Sequence, residues 1–188
     1  MDAVGDDLGA TIGNIINAGY KLMVQVKPDA VLVLGYTNSC LSVIGAKRLH
    51  IPIFHMEAGN RCFDECLPEE TNRRIVDVIS DVNLCYSEHA RRYLNASGVA
   101  KERTYVTGSP MAEVLHENLT EIESSDIHQR LHLQKGKYIL LSAHREENID
   151  TEKNFLSLFS AVNAMDEKYD MPILYSCHPR SSKRLESS

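Results

Sequence analysis

The sequence lacks long hydrophobic runs, and its basic residues do not cluster. The longest apolar stretches fall far below the roughly 20 residues that cross a bilayer, so no membrane-spanning helix is predicted. The first seven residues contain no lysine or arginine, so we predict no secretory signal. Net charge is −6, and the absence of a basic patch argues against a nucleic-acid partner.

Cysteines are few, odd in number and irregularly spaced. An uneven set in a chain of 188 residues favours reduced thiols and a cytoplasmic location over a disulfide framework. Cys62 and Cys66 have no second Cys/His pair at zinc-finger spacing, so we do not predict a metal. The five cysteines are Cys40, Cys62, Cys66, Cys85 and Cys177.

The common nucleotide and hydrolase signatures are also missing. The sequence contains no GxGxxG and no Walker motif, so neither a nicotinamide site nor a P-loop is indicated. It contains no serine nucleophile elbow. Internal repeats and low-complexity segments are absent as well, which leaves an ordinary globular chain with 43% hydrophobic and 24% charged residues.

Short apolar runs alternate with amphipathic segments along the first part of the chain. Such alternation predicts an α/β fold with a parallel sheet. Pro28 ends the first helix, and Asn38 or Ser39 can cap the second. The predicted helices are 8–26, 40–49, 69–79 and one from Ser87 to about Gly98, and the predicted strands are 30–34, 51–54, 82–86 and 104–106.

A polar and mostly helical segment divides the chain. We interpret residues 113–135 as a connection between a first lobe, residues 1–112, and the start of a second, residues 136–188. A strand over 137–141, a helix over 151–166 and a strand over 173–176 make one βαβ unit. One such unit is too small for a full core, and the first lobe begins on a helix, so we expect both lobes to be incomplete.

Charged side chains are concentrated where the second predicted strand ends. Glu57 follows the apolar run 51–54, and Pro68-Glu69-Glu70 begins a helix shortly afterwards. Ligands of open α/β sheets bind at the carboxyl ends of strands. Two carboxylates facing one pocket can differ in pKa and serve as acid and base. The alternative interpretation is surface ion pairs combined with acids at a helix start.

Polar residues also follow three other predicted strands, 30–34, 137–141 and 173–176. Gly35-Tyr36-Thr37-Asn38-Ser39 has the pattern of a strand–turn–helix connection. In the second lobe, Ser142 to Asn148 contains His144, which titrates near neutral pH, and Arg145, which can bind phosphate. His178-Pro179-Arg180 repeats that pattern more weakly.

Five motifs in order resemble the non-hydrolysing UDP-N-acetylglucosamine 2-epimerases. The residues around PIFHMEAG (52–59) and SAHREEN (142–148) are most similar to the branch acting on UDP-2-acetamido-2,6-dideoxy-L-talose. That branch makes the L-fucosamine precursor of surface polysaccharide. The resemblance covers nearly the whole chain. The motifs are KPDAVLVLG (27–35), PIFHMEAG (52–59), PEETNRR (68–74), VTG (106–108) and SAHREEN (142–148).

The resemblance implies a fold, a reaction and partners. The family has two Rossmann-like lobes in a glycosyltransferase-B arrangement, with the UDP-sugar in the cleft, and its members are usually homodimers. It inverts C2 by eliminating UDP to a glycal and adding it back, without nicotinamide or metal. We therefore expect a UDP-sugar substrate, no cofactor, and neither a nucleic-acid nor a membrane partner.

Motif matching also implies roles for single residues. Glu57 and Glu69 correspond to catalytic carboxylates, and His144 to the catalytic histidine of the second lobe. Arg145 and His178 fall on the nucleotide-sugar side. The resemblance does not assign which carboxylate serves which face of C2.

The chain departs from the family at one catalytic position. The family has Gly-Asp-Thr where this chain has Gly35-Tyr36-Thr37, and a tyrosine, with an ordinary pKa near 10, is a poor base. The family's first strand would precede Met1 and its nucleotide-holding segment would follow Ser188, so we expect an internal fragment with weak or no turnover. A non-catalytic UDP-sugar binder, or a relative of hydrolysing epimerases or glycosyltransferases, remains the alternative.

Overall fold

The computed structural model describes residues 3–65, 67–143 and 151–176. These residues divide between two compact units, Met1–His116 and Glu117–Ser188. Three predicted site residues, His144, Arg145 and His178, lie outside the described residues, as does Cys66.

The first helix, α1, spans Leu8–Val26, as its apolar spacing predicts. At its start the Asp7 carboxylate accepts the N–H of Ala10 at 2.7 Å, which satisfies one of the free amides of the first turn. At its end Lys27 adopts a left-handed conformation and donates its N–H to the carbonyl of Met23. Capping therefore ends α1 immediately before Pro28.

Four parallel strands form the sheet of the first unit, in the order β1-β2-β3-β4. Helical crossovers join consecutive strands, which confirms the predicted α/β fold. The strands are β1 (Val31–Leu34), β2 (Ile53–Ala58), β3 (Val82–Cys85) and β4 (Thr104–Val106), and the crossover helices are α2 (Val43–Arg48), α3 (Pro68–Ile79) and α4 (Glu88–Ala96).

Apolar side chains pack between the helices and one face of this sheet. Ile53 of β2, Val43 of α2 and Val76 of α3 are fully buried in the main cluster. A smaller cluster of Ala58, Cys85, Ala90 and Leu94 joins β2 and β3 to α4. On the opposite face of β1, Leu32 and Leu34 remain 65% and 60% exposed. The helical layer therefore covers one face of β1, while its opposite face is exposed.

Two predicted boundaries of the first unit were wrong. A 3₁₀ turn over Asn38–Ser42 precedes α2, and neither the Asn38 nor the Ser39 side chain caps a helix start. The Asn38 side chain instead accepts a hydrogen bond from Asn72 of α3 at 2.9 Å. Strand β2 continues to Ala58 instead of ending at Phe54. Glu57 therefore lies inside the strand, where a register shift between Met56 and Ala58 marks a β-bulge.

The second unit contains a smaller parallel pair of strands. Strand β5 (Ile139–Leu141) pairs with β6 (Ile173–Tyr175), and α8 (Glu152–Tyr169) begins at Thr151, whose side chain accepts the N–H of Asn154. Phe155 and Phe159 of α8 stack at a centroid distance of 4.6 Å. The helices α5 (Met111–Glu117), α6 (Leu119–Ser124) and α7 (Ile127–Arg130) occupy the polar segment between the sheets in sequence.

The helices of this chain are short or polar compared with membrane-spanning helices. Within residues 3–65, 67–143 and 151–176, none of them is both long and apolar enough to traverse a bilayer.

Gly59 provides a direct test of the packing at the end of β2. It has φ +77°, and an added Cβ would meet the carbonyl carbon of Ala90 at 2.8 Å and Leu94 at 2.9 Å. We expect Gly59→Ala to lower the free energy of unfolding by about 2–4 kcal/mol, from backbone strain and overpacking together.

Gly13 of α1 is the matched control, because an added Cβ there would have no neighbour within 4 Å. Gly13→Ala should stabilise the unit by about 0.5–1 kcal/mol. Urea denaturation of both variants measures the two changes, and similar values for both would contradict the packing around Gly59.

Candidate functional site

The candidate site lies at the carboxyl edge of the first sheet. Tyr36 follows β1, Glu57 occupies the bulge of β2 and Tyr86 follows β3. Glu57 has φ +64°, a conformation that costs a non-glycine residue about 1–3 kcal/mol and is concentrated at functional sites. The side-chain amide of Asn60 donates to Glu57 Oε1 at 3.2 Å. The bulge therefore places the Glu57 carboxylate at the carboxyl end of β2.

A buried ionic group beneath this edge holds β2 and the following loop to α3. Asp77 Oδ2 accepts from the Arg61 guanidinium at 2.7 Å. Its Oδ1 accepts the N–H of Gly59 at 3.1 Å and lies 3.0 Å from Nδ1 of His55. The other ring nitrogen of His55 is 3.3 Å from the carbonyl oxygen of Gly35. Asp77 therefore links the ends of β1 and β2 through the buried side chains of His55 and Arg61.

Both His55 nitrogens face oxygen acceptors. Nδ1 faces the Asp77 carboxylate and Nε2 faces the Gly35 carbonyl. A neutral imidazole carries one N–H and can donate to only one of them, whereas an imidazolium donates to both.

Glu70 is the structural carboxylate of the pair that begins α3. It is fully buried and accepts from the N–H of Cys62 at 3.1 Å and from Nε of Arg74 at 3.0 Å. Burial opposes its charge, but these hydrogen bonds outweigh burial and hold the pKa of Glu70 below its ordinary value. Glu70 therefore fixes the loop between β2 and α3 and is unavailable for proton transfer.

Glu69, in contrast, is half-buried and lies on the side of Tyr36. Its charge is among the influences that raise the pKa of the Tyr36 phenol. The structure thus separates adjacent carboxylates of one motif: Glu70 is bound to the loop, whereas Glu69 is close enough to Tyr36 for its charge to act on the phenol.

Side chains of α3 contact both the backbone and the ring of Tyr36. Asn72 of α3 donates its amide to the Tyr36 carbonyl at 3.1 Å, and the Arg73 guanidinium lies 4.1 Å from the ring centroid. Burial and the Glu57 charge raise the pKa of Tyr36, and Arg73 opposes that shift only in part.

Tyr36, Glu57, Glu69, Arg73 and Tyr86 together form what we call the edge cluster. Sequence reasoning identified the first three and did not assign a role to Arg73 or Tyr86. Burial, followed by the charge of Glu57 and the proximity of Tyr36, raises the pKa of Tyr86. Its position at the end of β3 was the sequence signal that could have found it.

The edge cluster can hold and move protons. It combines two carboxylates, one guanidinium and two phenols whose pKa values lie above the ordinary range. Thiol chemistry is not suggested at the buried cysteines, because burial raises the pKa of Cys40 and of Cys85 to about 11. Across the described ranges, no group of three or more His, Cys, Asp or Glu side chains is placed to hold a metal ion.

The whole chain matches one protein family. A family model described as UDP-N-acetylglucosamine 2-epimerase matches residues 1–188. Among curated proteins, the chain is 33% identical over 181 residues to a UDP-N-acetylglucosamine 2-epimerase of Methanococcus maripaludis, covering 94% of this chain and 50% of that protein. The chain spans about half the length of the curated relatives it matches.

Solved structures give the same result. The UDP-N-acetylglucosamine 2-epimerase of Rickettsia bellii superposes with a TM-score of 0.90 at 47% identity, over 99% of this chain and 49% of that chain. The Methanocaldococcus jannaschii UDP-GlcNAc 2-epimerase, solved in complex with UDP-GlcNAc and UDP, gives 0.87 at 30% identity, over 99% and 52%. The fold of this chain is therefore that of about half of each of these proteins.

Asp77 tests whether the buried ionic group supports the site. Replacing it with asparagine removes the charge that balances Arg61, so we expect Asp77→Asn to destabilise the unit by about 3–5 kcal/mol. The exposed pair Glu88–Arg91, at 2.8 Å, supplies the control, and Glu88→Gln should cost at most about 1 kcal/mol. Chemical denaturation gives both values, and an Asp77 effect no larger than the control would refute the supporting role.

Proposed function

This chain belongs to the UDP-N-acetylglucosamine 2-epimerase family, a family of isomerases, and we propose that it takes part in epimerising C2 of a UDP-N-acetyl-amino sugar. The reaction eliminates UDP to a glycal and adds it back with C2 inverted. One observation supports this most strongly: Glu57 lies on a strained bulge at the carboxyl end of β2, close enough to Tyr36 and Tyr86 for its charge to raise the pKa of both phenols.

The chemistry matches what the edge cluster offers. The C2 hydrogen is a weak acid, so a positioned carboxylate must remove its proton while the leaving diphosphate is stabilised. Glu57 and Glu69 are the carboxylates proposed for proton transfer, whereas Glu70 is excluded by its bonds to Cys62 and Arg74. A second proton carrier is needed to protonate the opposite face.

The diphosphate requires cations that the edge cluster does not supply. Glu57 and Glu69 carry two negative charges against the one positive charge of Arg73, which already lies 3.6 Å from Glu70. We assign the nucleotide-sugar contacts to Arg145 and His178 and a catalytic role to His144, by motif. Because Tyr36 is a poor base at the position of the family's aspartate, we expect slow turnover from these 188 residues.

The substrate of this chain and its location in the cell are part of the same proposal. We propose a UDP-sugar of the 6-deoxy-talose branch as substrate, surface-polysaccharide precursor synthesis as its use, and no cofactor. We propose a cytoplasmic location for this chain without nucleic-acid or membrane partners, and a homodimer for its full-length relatives. The M. jannaschii complex supports the nucleotide part, since its bound molecules are UDP-GlcNAc and UDP.

A second candidate function is UDP-sugar binding without turnover. Tyr36 favours it, because a phenol with a raised pKa cannot replace an aspartate as base near neutral pH. A hydrolysing epimerase or a glycosyltransferase relative would differ by releasing free sugar or by requiring an acceptor.

Calorimetric titration with UDP and a coupled epimerisation assay separate these functions. We expect the chain to bind UDP and to convert UDP-N-acetylglucosamine, or its 6-deoxy-talose analogue, slowly. Binding without any conversion would support the binder, and release of free sugar would support hydrolysis. Absence of UDP binding would contradict the proposed function and the binder together.

A further inference from the structure

The first strand of the sheet has an unpaired edge. Within the part of the chain that the structure describes, β1 pairs with β2 alone. On the paired side, the N–H of Val31 donates to the Pro52 carbonyl at 2.8 Å. Because the backbone groups of successive residues point to opposite sides of a strand, those of Leu32 and Leu34 point to the free edge. β1 therefore presents a row of hydrogen-bonding groups that an added strand could use.

The composition of β1 is that of a central strand. All four of its residues, Val31–Leu34, are apolar. Parallel strands that are covered on both faces have such near-continuous apolar sequences, whereas natural edge strands commonly carry a charge or a proline. The sequence of β1 therefore fits a strand with a neighbour on each side.

The face of the sheet opposite the helices is also apolar. The strand register aligns its side chains in rows, so that Leu32 lies beside Phe54 and Leu34 beside Met56. Leu32 and Leu34 are 65% and 60% exposed, and the other members of the rows are partly exposed. A contiguous apolar surface of this kind is typical of an interaction site. We call it the open face, and it consists of Leu32, Leu34, Phe54, Met56, Val82 and Leu84.

The handedness of the crossovers explains why the helices leave the open face uncovered. Right-handed crossovers that lead from β1 towards β4 place α2, α3 and α4 on one side of the sheet, and α1 packs in the same layer. Strands added beyond the free edge of β1, with crossovers of the same hand, would place their helices on the other side. One strand–helix unit would therefore cover the free edge and the open face together.

We propose that a second polypeptide docks on these two surfaces, adding a parallel strand to the edge of β1 and an amphipathic helix to the open face. The added strand supplies backbone hydrogen bonds, and the apolar stripe of the helix buries the exposed leucines. The contact surface of the partner is apolar, because all six residues of the open face are uncharged. Docking is independent of the proposed function, since this contact forms without nucleotide.

A second copy of this chain cannot satisfy both surfaces. Two copies paired edge to edge would form one wider sheet in which each open face stays uncovered. Two copies packed face to face would leave both β1 edges unpaired.

The length of the relatives indicates which polypeptide fits. This chain covers 49% of the Rickettsia bellii protein, so that protein contains about as much chain again. A strand–helix–strand unit needs only about 30 residues or slightly more. A polypeptide with the part of the family fold that this chain does not span can therefore supply both the strand and the helix.

Co-expression with the remainder of a relative tests the docking. The residues of the R. bellii protein outside its matched half are produced as separate polypeptides together with the affinity-tagged 188-residue chain. We expect a complex to co-purify, and amide hydrogen exchange to show new protection at Leu32 and Leu34. The amide of Val33 faces β2 with or without the partner, so it is the internal control and should be protected in both states.

Two substitutions locate the contact. Leu32→Lys places a charge on the open face and should raise the Kd of the complex, measured by dilution, by about 10-fold or more. Val78→Lys, on the 63% exposed side chain of Val78 in α3, is the matched control on the helical side and should leave the Kd unchanged. Circular dichroism of both variants checks that they fold.

Four results would overturn the docking. They are the absence of a complex, a complex without new protection at Leu32 and Leu34, an unchanged Kd in Leu32→Lys, and self-association of the chain that Leu32→Lys abolishes. In the last case a second copy would occupy the open face. A chain that forms the complex but does not bind UDP would contradict the proposed function alone, so the two failures are distinguishable.

Discussion

The carboxylate of Asp77 is the interaction on which the candidate site depends. It lies in the interior of the first unit, where it receives Arg61 and the Gly59 amide and faces His55, whose other nitrogen reaches the Gly35 carbonyl. A buried charge of this kind is tolerated only when its partners are complete. The positions of the ends of β1 and β2, and hence of Tyr36 and Glu57, therefore depend on one side chain of α3.

The same helix distributes its polar residues between support and chemistry. Glu70 and Asp77 face inward and bind the loop after β2, whereas Glu69 and Arg73 face Tyr36. Because α3 is packed on the sheet through Val76, Glu69 and Arg73 share one packed helix with the carboxylates that hold the loop. The proton transfer that we propose would use groups at the carboxyl ends of β1, β2 and β3.

Much of the fold and part of the candidate site could be predicted from the sequence, and the features that could not have physical reasons. Periodicity predicted α1 and β4 because their signals are local. The extension of β2 through a bulge was missed because Glu57 is polar and takes a conformation that propensity does not predict. The inward position of Glu70 and the pairing of Asn38 with Asn72 depend on contacts between elements distant in sequence.

Native-state hydrogen exchange at the Gly59 amide tests most directly whether Asp77 holds the site. The Gly59 N–H is buried and bonded to Asp77, so it should exchange only through global unfolding, as slowly as amides in the centre of the sheet. The same amide exchanging as fast as the exposed part of the loop, around the 83% exposed Glu65, would contradict the account.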